Sequence, residues 1–372
     1  MKVSIADLPA QFAPLREEMT AAVLAVLESG HFGLTEGVAA FERAVAAVCG
    51  AKHGIGLNSG TDALMLSLLA LDLEPGDEIV TTPFTFVATA EVIALLGLKP
   101  VFADIDPVTY NLDPAKAEAA ITSRTRALLP VHLFGQMADM EALTRIATAH
   151  DLPLIGDAAQ AIGCSHRGLP VGQWSLLTTL SFFPTKNLGA AGDGGMVLTN
   201  DDALAEKLRC LRSHGSSQQY QYKYVGICSR LDAIQAAVLS VKLPHLDVWN
   251  EKRRENAAYY DERFADLEGL VTPCRAPENV HTYHQYTVRV LDGQRDALRA
   301  YLAAHGVASG IYYPGPLHLE EAYRYLGYEP GDMPEAERAG REVLSLPVVP
   351  ELTTEQRECV ADSVRAFFGK EA

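Results

Sequence analysis

The chain has 372 residues, of which 48% are hydrophobic and 21% charged, the balance of a folded globular protein with about two domains. Its 31 Lys and Arg against 47 Asp and Glu give a net charge of −16, which argues against nucleic acids and anionic membranes as partners. No apolar stretch is long enough to span a membrane, and no signal peptide is evident. The six scattered cysteines include no Cys-x-x-Cys pair, which indicates free thiols in a cytoplasmic protein rather than disulfides or a zinc site.

The first fifty residues have a mostly helical pattern, and from residue 78 to 200 short apolar runs alternate with helical segments. This alternation predicts a mainly parallel β-sheet covered by helices on both faces. The predicted strands are Glu78–Thr82, Pro100–Ala103, Ala127–Leu133, Leu152–Gly156, Leu176–Phe183 and Gly195–Thr199. The predicted helices around them are Ala63–Leu71, Ala88–Leu96, Pro114–Ile121 and Met137–His150.

Beyond Asp232 the pattern changes to that of a smaller α+β domain. Two long amphipathic helices, Asp232–Leu243 and Leu246–Leu267, are predicted on either side of Pro244. The elements predicted after them are a strand at Tyr286–Val290, a helix near Gln294–His305, a strand near Ser309–Tyr313 and a helix near Thr354–Phe368. We therefore expect a large domain of residues 1–245 and a small domain of residues 246–372.

The segment Asn58-Ser59-Gly60-Thr61 leads directly into the apolar helix that follows it. The start of a helix offers unpaired N–H groups and the positive end of the helix dipole, which suit a phosphate group. The alternative is that Ser59 or Thr61 only caps the helix.

Asp157 follows the predicted strand Leu152–Gly156, at the edge of the sheet where open α/β proteins bind ligands. One interpretation is a carboxylate that keeps a heteroaromatic ring nitrogen protonated. The spacing of Asp157 and Gln160 also fits a helix cap, and the two roles are compatible.

Lys186 lies in a Pro- and Gly-bounded loop that follows another predicted strand, at the same edge of the sheet as Asp157. Most lysines are solvated surface charges. A desolvated lysine in such a loop loses its proton more easily and is able to form a Schiff base. Together with the phosphate site and the carboxylate, this lysine supplies what pyridoxal phosphate requires, and Phe84 or Phe86 offers an aromatic ring to stack on the cofactor.

The chain resembles the DegT/StrS-type sugar-nucleotide aminotransferases, which are fold-type-I pyridoxal-phosphate enzymes, over nearly its whole length. The segments that carry the resemblance are 58–64 (NSGTDAL), 83–89 (PFTFVAT), 104–106 (DID) with Tyr110-Asn111, 156–161 (GDAAQA), 181–189 (SFFPTKNLG), 230–232 (RLD) and 313–318 (YPGPLH). The resemblance implies a mainly parallel seven-stranded sheet in the large domain and a smaller α+β domain at the carboxyl terminus.

The resemblance also implies roles for individual residues. Lys186 would bind the cofactor covalently and move the proton, and Asp157 would pair with the pyridinium nitrogen. The other cofactor contacts that it implies are Gln160 near the ring oxygen, Gly60, Thr61 and Ser181 at the phosphate, and Phe86 stacked on the ring. Members of the family are homodimers with the active site at the interface, and the loop 226–230 would cross over from the partner.

One position in that loop departs from the family. The family has Gly-x-Asn-x-Arg there, with the Asn reaching the partner's phosphate, whereas this chain has Cys228 between Gly226 and Arg230. Since a thiol is a poorer donor than an amide, we expect weaker cofactor retention or compensation by Ser229.

By the same resemblance, L-glutamate would donate the amino group and a keto sugar on a nucleoside diphosphate would accept it. The form Arg230-Leu231-Asp232 is similar to that of members acting on a 3-keto hexose or hexuronic acid, with a UDP-linked 2-acetamido sugar as one form of it, and a 4-keto sugar is the alternative. The candidate substrate contacts are Arg230, Tyr312 and His318, of which His318 is equally well a structural histidine.

Other classes of function are weaker. The segment 54–59 (GIGLNS) imitates a dinucleotide fingerprint but has Gly60 one residue too late. A sugar dehydratase of the same fold would have His at position 186, and a non-enzymatic sensor would be expected to lose Lys186 or Asp157. His281 and His284 have no acidic or Cys partner in the sequence, so we expect no metal there.

Overall fold

The computed structural model describes residues 1–370 and places most helices where the apolar spacing predicts them. The α-helices are α1 (Leu8–Phe12), α2 (Arg16–Ser29), α3 (Glu36–Val48), α4 (Gly60–Leu69), α5 (Ala88–Leu95), α6 (Pro114–Ala119), α7 (Met140–Ala149), α8 (Asp202–Leu211), α9 (Ala233–Lys242), α10 (Leu246–Phe264), α11 (Arg295–Ala304), α12 (Pro334–Glu342) and α13 (Thr354–Phe367). Side-chain caps fix several starts: Asp139 accepts from Ala142 N at α7, and Thr353 forms a capping box with Gln356 at α13. A 3₁₀ turn separates α9 from α10 at the predicted break, Pro244.

The strands form one large sheet and several small ones. They are β1 (His53–Leu57), β2 (Glu78–Thr81), β3 (Lys99–Phe102), β4 (Thr125–Leu129), β5 (Ile155–Asp157), β6 (Ser165–His166), β7 (Leu169–Pro170), β8 (Leu177–Ser181), β9 (Gly195–Thr199), β10 (Ser216–Gln218), β11 (Gln221–Tyr222), β12 (Leu270–Val271), β13 (Asn279–Val280), β14 (Tyr286–Val290) and β15 (Val343–Leu346).

The large sheet has the order β3-β2-β4-β5-β8-β9-β1. A three-stranded part, β3-β2-β4, meets a four-stranded part, β5-β8-β9-β1, through parallel bridges from Leu128 to Leu154 and from Val131 to Asp157. The strands run parallel except β9, which pairs antiparallel with β8 and with β1. The expected seven-stranded, mainly parallel sheet is therefore present, and the carboxyl ends of β2, β4, β5 and β8 lie at one edge.

Alternate residues of these strands enter different hydrophobic clusters. Val80 and Leu128 pack on one face of the sheet, while Ile79, Ala127 and Leu129 pack on the other. Because both faces are covered by helices, the strands are nearly continuous apolar runs, which is why the sequence identifies them.

The strand β1 is absent from the predicted elements because glycines interrupt its apolar pattern. A Cβ added at Gly54 would lie 2.7 Å from the carbonyl oxygen of Glu42, so α3 can pack this closely on β1 only where a glycine stands.

The C-terminal part contains the antiparallel sheet β12-β14-β15 with α11 and α13 packed against it. The predicted strand near Ser309–Tyr313 is wrong, since only Gly310 pairs, with Ser345, before the chain leaves the sheet. Pro314 has no N–H to continue such a ladder. Val3 also enters this C-terminal core through a bridge to Val307, and the domain boundary at 245/246 stays a prediction. Within residues 1–370, no helix combines the length and the apolar character that crossing a membrane requires.

Candidate active site

A cavity of about 680 Å³ opens at the carboxyl edge of the large sheet. Its walls come from the start of α4, from the loops after β2, β5 and β8, and from C-terminal segments around residues 284, 312 and 348. Of the predicted site residues, the structure brings together Gly60, Thr61, Phe86, Asp157, Gln160, Ser181, Lys186 and Tyr312 as lining residues. The size and the mixed lining are those of a small-molecule site.

Asp157 is the last residue of β5 and is only 5% exposed. Its carboxylate accepts hydrogen bonds from Thr89 Oγ1 at 2.9 Å and from the backbone N–H of Ala159 at 3.1 Å. Burial raises its pKa above the ordinary value, while these two bonds and the charge of Lys186 oppose the rise. A cationic ring N–H beside this carboxylate would offset the free-energy cost of burying its charge. Asp157 is therefore suited to bind a pyridinium nitrogen.

Lys186 follows β8 in a turn that its own backbone closes, since its N–H donates to the carbonyl oxygen of Phe183 at 2.8 Å. Its side chain lines the cavity, and desolvation lowers its pKa to about 8, although the charge of Asp157 opposes the change. Among residues 1–370, no acid forms an ion pair with its Nζ. A lysine of this kind is a competent nucleophile and proton carrier near neutral pH.

A phosphate-sized cradle lies where α4 begins. Ser59 caps the helix by accepting from Asp62 N at 3.0 Å, and the first-turn residues Gly60 and Thr61 line the cavity. Ser181, at the end of β8, lies close to this turn, since a Cβ added at Gly60 would be 2.7 Å from the Cβ of Ser181. The helix N-terminus and the Ser181 hydroxyl therefore converge on one point, as phosphate binding requires.

Flat side chains border the middle of the cavity. Phe86 lines it and is 57% exposed, with its ring centroid 6.3 Å from that of Tyr313. Gln160 also lines the cavity, and its side chain accepts from Phe134 N at 2.7 Å and donates to the Tyr313 hydroxyl at 3.3 Å. Carboxylate, lysine, phosphate cradle and aromatic face occur in one cavity, so the residues present fit pyridoxal phosphate.

Three predicted site residues do not line the cavity of their own chain. Cys228 and Arg230 are exposed, with Arg230 Nη2 3.2 Å from Cys228 Sγ, and both lie on the loop expected to reach a partner. His318 is 1% exposed, and its Nε2 lies 3.3 Å from a carboxylate oxygen of Glu337.

Sequence reasoning missed several lining residues, among them Thr89, Arg253, His284 and Gln285. Thr89 stands in a segment that the resemblance singled out, and His284 attracted attention only as a possible metal ligand. Nothing in the sequence predicted a site role for Arg253, because an arginine on an amphipathic helix is usually an exposed surface charge. Within the described chain, no group of three His, Cys, Asp or Glu side chains is placed to hold a metal ion.

The family model of the DegT/DnrJ/EryC1/StrS aminotransferase family matches residues 14–365. A pleiotropic regulatory protein of Geobacillus stearothermophilus is 50% identical over 99% of both chains. The UDP-N-acetyl-3-dehydro-α-D-glucosamine 3-aminotransferase of Acidithiobacillus ferrooxidans is 44% identical over 98% of this chain and 97% of its own.

Solved structures agree with this match. DesV of S. venezuelae, in complex with a ketimine intermediate, superposes with a TM-score of 0.97 at 43% identity over 100% of both chains. NtdA of Bacillus subtilis, with bound cofactor PMP, has a TM-score of 0.93 at 30% identity over 99% of this chain and 86% of its own. The predicted family, fold class and cofactor are thereby confirmed, and the chain belongs to the DegT/DnrJ/EryC1/StrS aminotransferase family as a pyridoxal-phosphate-dependent aminotransferase.

Proposed function

We propose that the protein transfers the amino group of L-glutamate to a keto sugar linked to a nucleoside diphosphate. The observation that carries this proposal is the presence of a buried carboxylate, Asp157, and a desolvated lysine, Lys186, in one cavity beside a phosphate cradle. Bound pyridoxal phosphate supplies an aldehyde that captures amines and a ring that withdraws electrons from the substrate carbon.

The residues of the chain then have separate tasks. Asp157 keeps the ring nitrogen protonated through its buried carboxylate, and Gly60, Thr61 and Ser181 hold the phosphate. Lys186 removes a proton from the donor carbon with its Nζ in the first half-reaction and delivers a proton to the acceptor carbon in the second. A pKa of about 8 suits this task, because both protonation states are populated near neutral pH.

We infer that the active unit is a homodimer. Cys228 and Arg230 are exposed and do not line the cavity of their own chain, as expected of residues that complete a partner's site. The neighbouring hairpin exposes Tyr220, Tyr222 and Val225, at 80%, 66% and 94%. Such apolar exposure is typical of a surface that another chain covers.

The buried residue between them limits the expected compensation. The Ser229 hydroxyl donates to Asp62 at 2.7 Å and accepts from the backbone N–H of Asn58 at 3.1 Å. Since Ser229 is fully buried and both hydrogen bonds of its hydroxyl stay within its own chain, we infer that it supports the loop and leaves Cys228 as the residue expected to face the partner's phosphate.

We propose C3 of the sugar as the position that receives the amino group. The names of relatives support this choice: besides the A. ferrooxidans enzyme, a Pseudomonas aeruginosa relative at 42% identity is a UDP-2-acetamido-2-deoxy-3-oxo-D-glucuronate aminotransferase. Tyr312 lines the cavity and is our candidate for a contact with the sugar, while Arg230 suits a diphosphate or carboxylate.

The test begins with the near-visible absorbance of the purified protein before and after adding L-glutamate. We expect a cofactor band that glutamate converts to the pyridoxamine form, and its return when a UDP-linked 3-keto sugar is added. Return with 4-keto sugars alone would move the amination to C4. No band even with added pyridoxal phosphate would favour a regulator, as the name of the G. stearothermophilus relative suggests for that protein.

A further inference from the structure

Arg253 is a buried cation without an acidic partner at the wall of the active-site cavity. It is 4% exposed, and within residues 1–370 no acid lies within ion-pair distance of it. Its Nη1 donates to the carbonyl oxygens of Tyr283 and His284 at 3.1 and 3.4 Å, and its Nε is buried without a partner. Burial lowers its pKa to about 10, and the carboxylate of Glu351, which raises it, is bonded to Gln11 instead.

A buried guanidinium in this state is costly, because desolvation of the charge is not repaid by an ion pair. An anion in the cavity would repay it. Guanidinium groups bind carboxylates particularly well, since their N–H groups match the two oxygens. The phosphate cradle is formed by other residues, Gly60 and Ser181.

His284, the next lining residue, presents an acceptor. Asn187 donates through its Nδ2 to Asn250 Oδ1 at 2.8 Å and to the carbonyl oxygen of Thr282 at 2.9 Å. Its Oδ1 is therefore the atom 3.0 Å from His284 Nδ1, so the proton of the imidazole is on Nδ1. The lone pair of Nε2 remains free, and no residue of the described chain bonds to it.

The position of His284 is tied to the reacting lysine. Asn187, which orients the imidazole, directly follows Lys186 in the chain. Burial and the charges of Lys186 and Arg253 hold the pKa of His284 well below its ordinary value, so the ring is neutral and accepts hydrogen bonds. One cation and one acceptor thus stand next to each other beside the lysine.

We propose that Arg253 and His284 form the subsite for the amino donor, with the donor's carboxylate on the Arg253 guanidinium and its ammonium group on His284 Nε2. An α-amino acid carries these two charges two bonds apart, whereas the keto carbon of a sugar carries neither. The inference rests on the proposed use of an amino-acid donor.

The two half-reactions separate this subsite from general damage. In the holoenzyme, Arg253→Gln should raise the L-glutamate concentration for half-maximal conversion of the cofactor band at least about tenfold, the effect of losing one charge-assisted contact. The reaction of the pyridoxamine form with the keto sugar should be unchanged. Arg254→Gln is the matched control, because that neighbour on α10 pairs with Glu251 and does not line the cavity.

Equal glutamate saturation in Arg253→Gln and the parent protein would overturn the inference, as would equal losses in both half-reactions. If Arg253→Gln does not fold, His284→Leu and His284→Gln decide: the first should weaken glutamate alone, and the second, which keeps an acceptor oxygen, should restore part of the loss. Failure of the parent protein to react with glutamate would instead reject the proposed function.

Discussion

Two buried carboxylates of this chain have opposite surroundings. Glu42, 7% exposed, forms an ion pair with the buried Arg212 and accepts from Gly56 N at 2.7 Å. Asp157, 5% exposed, has two neutral donors and, within residues 1–370, no ion pair. The first carboxylate is neutralised by its own chain and locks α3, β1 and α8 together. The second retains binding capacity, and we infer that this is what distinguishes a ligand site from a structural one.

The largest effect should come from replacing Lys186 or Asp157, the two charged residues of the candidate active site. Lys186→Ala and Asp157→Asn should each lower the transamination rate by about 10³-fold or more, since each removes a proton-transfer or ring-protonating group. Steady-state assays with glutamate measure this effect, and Lys52→Ala, an exposed lysine paired with Asp202, is the control. Near-normal activity in either variant would show that Lys186 and Asp157 do not form the reaction centre.

Breaking the buried ion pair between Glu42 and Arg212 should lower the stability of the protein instead. Arg212→Met leaves Glu42 charged and buried, which should lower the free energy of unfolding by about 3–5 kcal/mol. The exposed pair Arg43–Glu36 provides the control, and Arg43→Ala should change it by less than about 1 kcal/mol. Urea unfolding measures both variants. A similar loss of unfolding free energy in the two would show that the buried ion pair is worth no more than the exposed one.

A smaller effect is expected in the loop 226–230, which we propose to reach a partner chain. Cys228→Asn should strengthen pyridoxal phosphate binding about tenfold, the value of one hydrogen bond of roughly 1.4 kcal/mol to a phosphate. Equilibrium dissociation constants of the cofactor measure it, with Cys274→Asn as the control at another exposed cysteine. An unchanged constant for Cys228→Asn would mean that the residue at this position does not reach the phosphate.

The smallest effect concerns pH. Lys186 reacts as the neutral amine, so the rate at which the apoenzyme captures pyridoxal phosphate should rise with pH and level off above about pH 8. The charge of Asp157 raises the pKa of Lys186, and Asp157→Asn should therefore move the midpoint to lower pH. A midpoint near 10.5, that of an ordinary lysine, would show that the amine is not desolvated.

The large sheet could be predicted because its strands are buried on both faces and separated by helices. The strand at Val343–Leu346 and the first strand of the sheet, His53–Leu57, could not. Val343–Leu346 is a short apolar run without alternation. His53–Leu57 contains glycines that only close packing against α3 explains. The segment 309–313 has the composition of a strand but pairs at a single residue.

The site divides in the same way. Asp157 and Lys186 each follow an apolar run, so their place at the carboxyl edge of the sheet follows from the pattern. Arg253 and His284 come from a helix and a loop about 70 to 100 residues further on, and no spacing in the sequence links them to the lysine. Cys228, Arg230 and His318 were selected by resemblance, and the structure places all three outside the cavity of their own chain.

The sequence by itself determined the charge of the surface, the alternation of strands and helices, and the order of motifs that identifies the cofactor. Only the tertiary structure decided which buried charges are neutralised within the chain. The sequence places Asp157 at the carboxyl edge of the sheet, but it does not tell whether another residue of the chain neutralises Asp157 or Glu42. Arg212 forms an ion pair with Glu42 across 170 residues of chain, while within residues 1–370 no arginine or lysine forms an ion pair with Asp157. Ion pairing acts over a few ångströms, and folding alone sets which distant residues come that close.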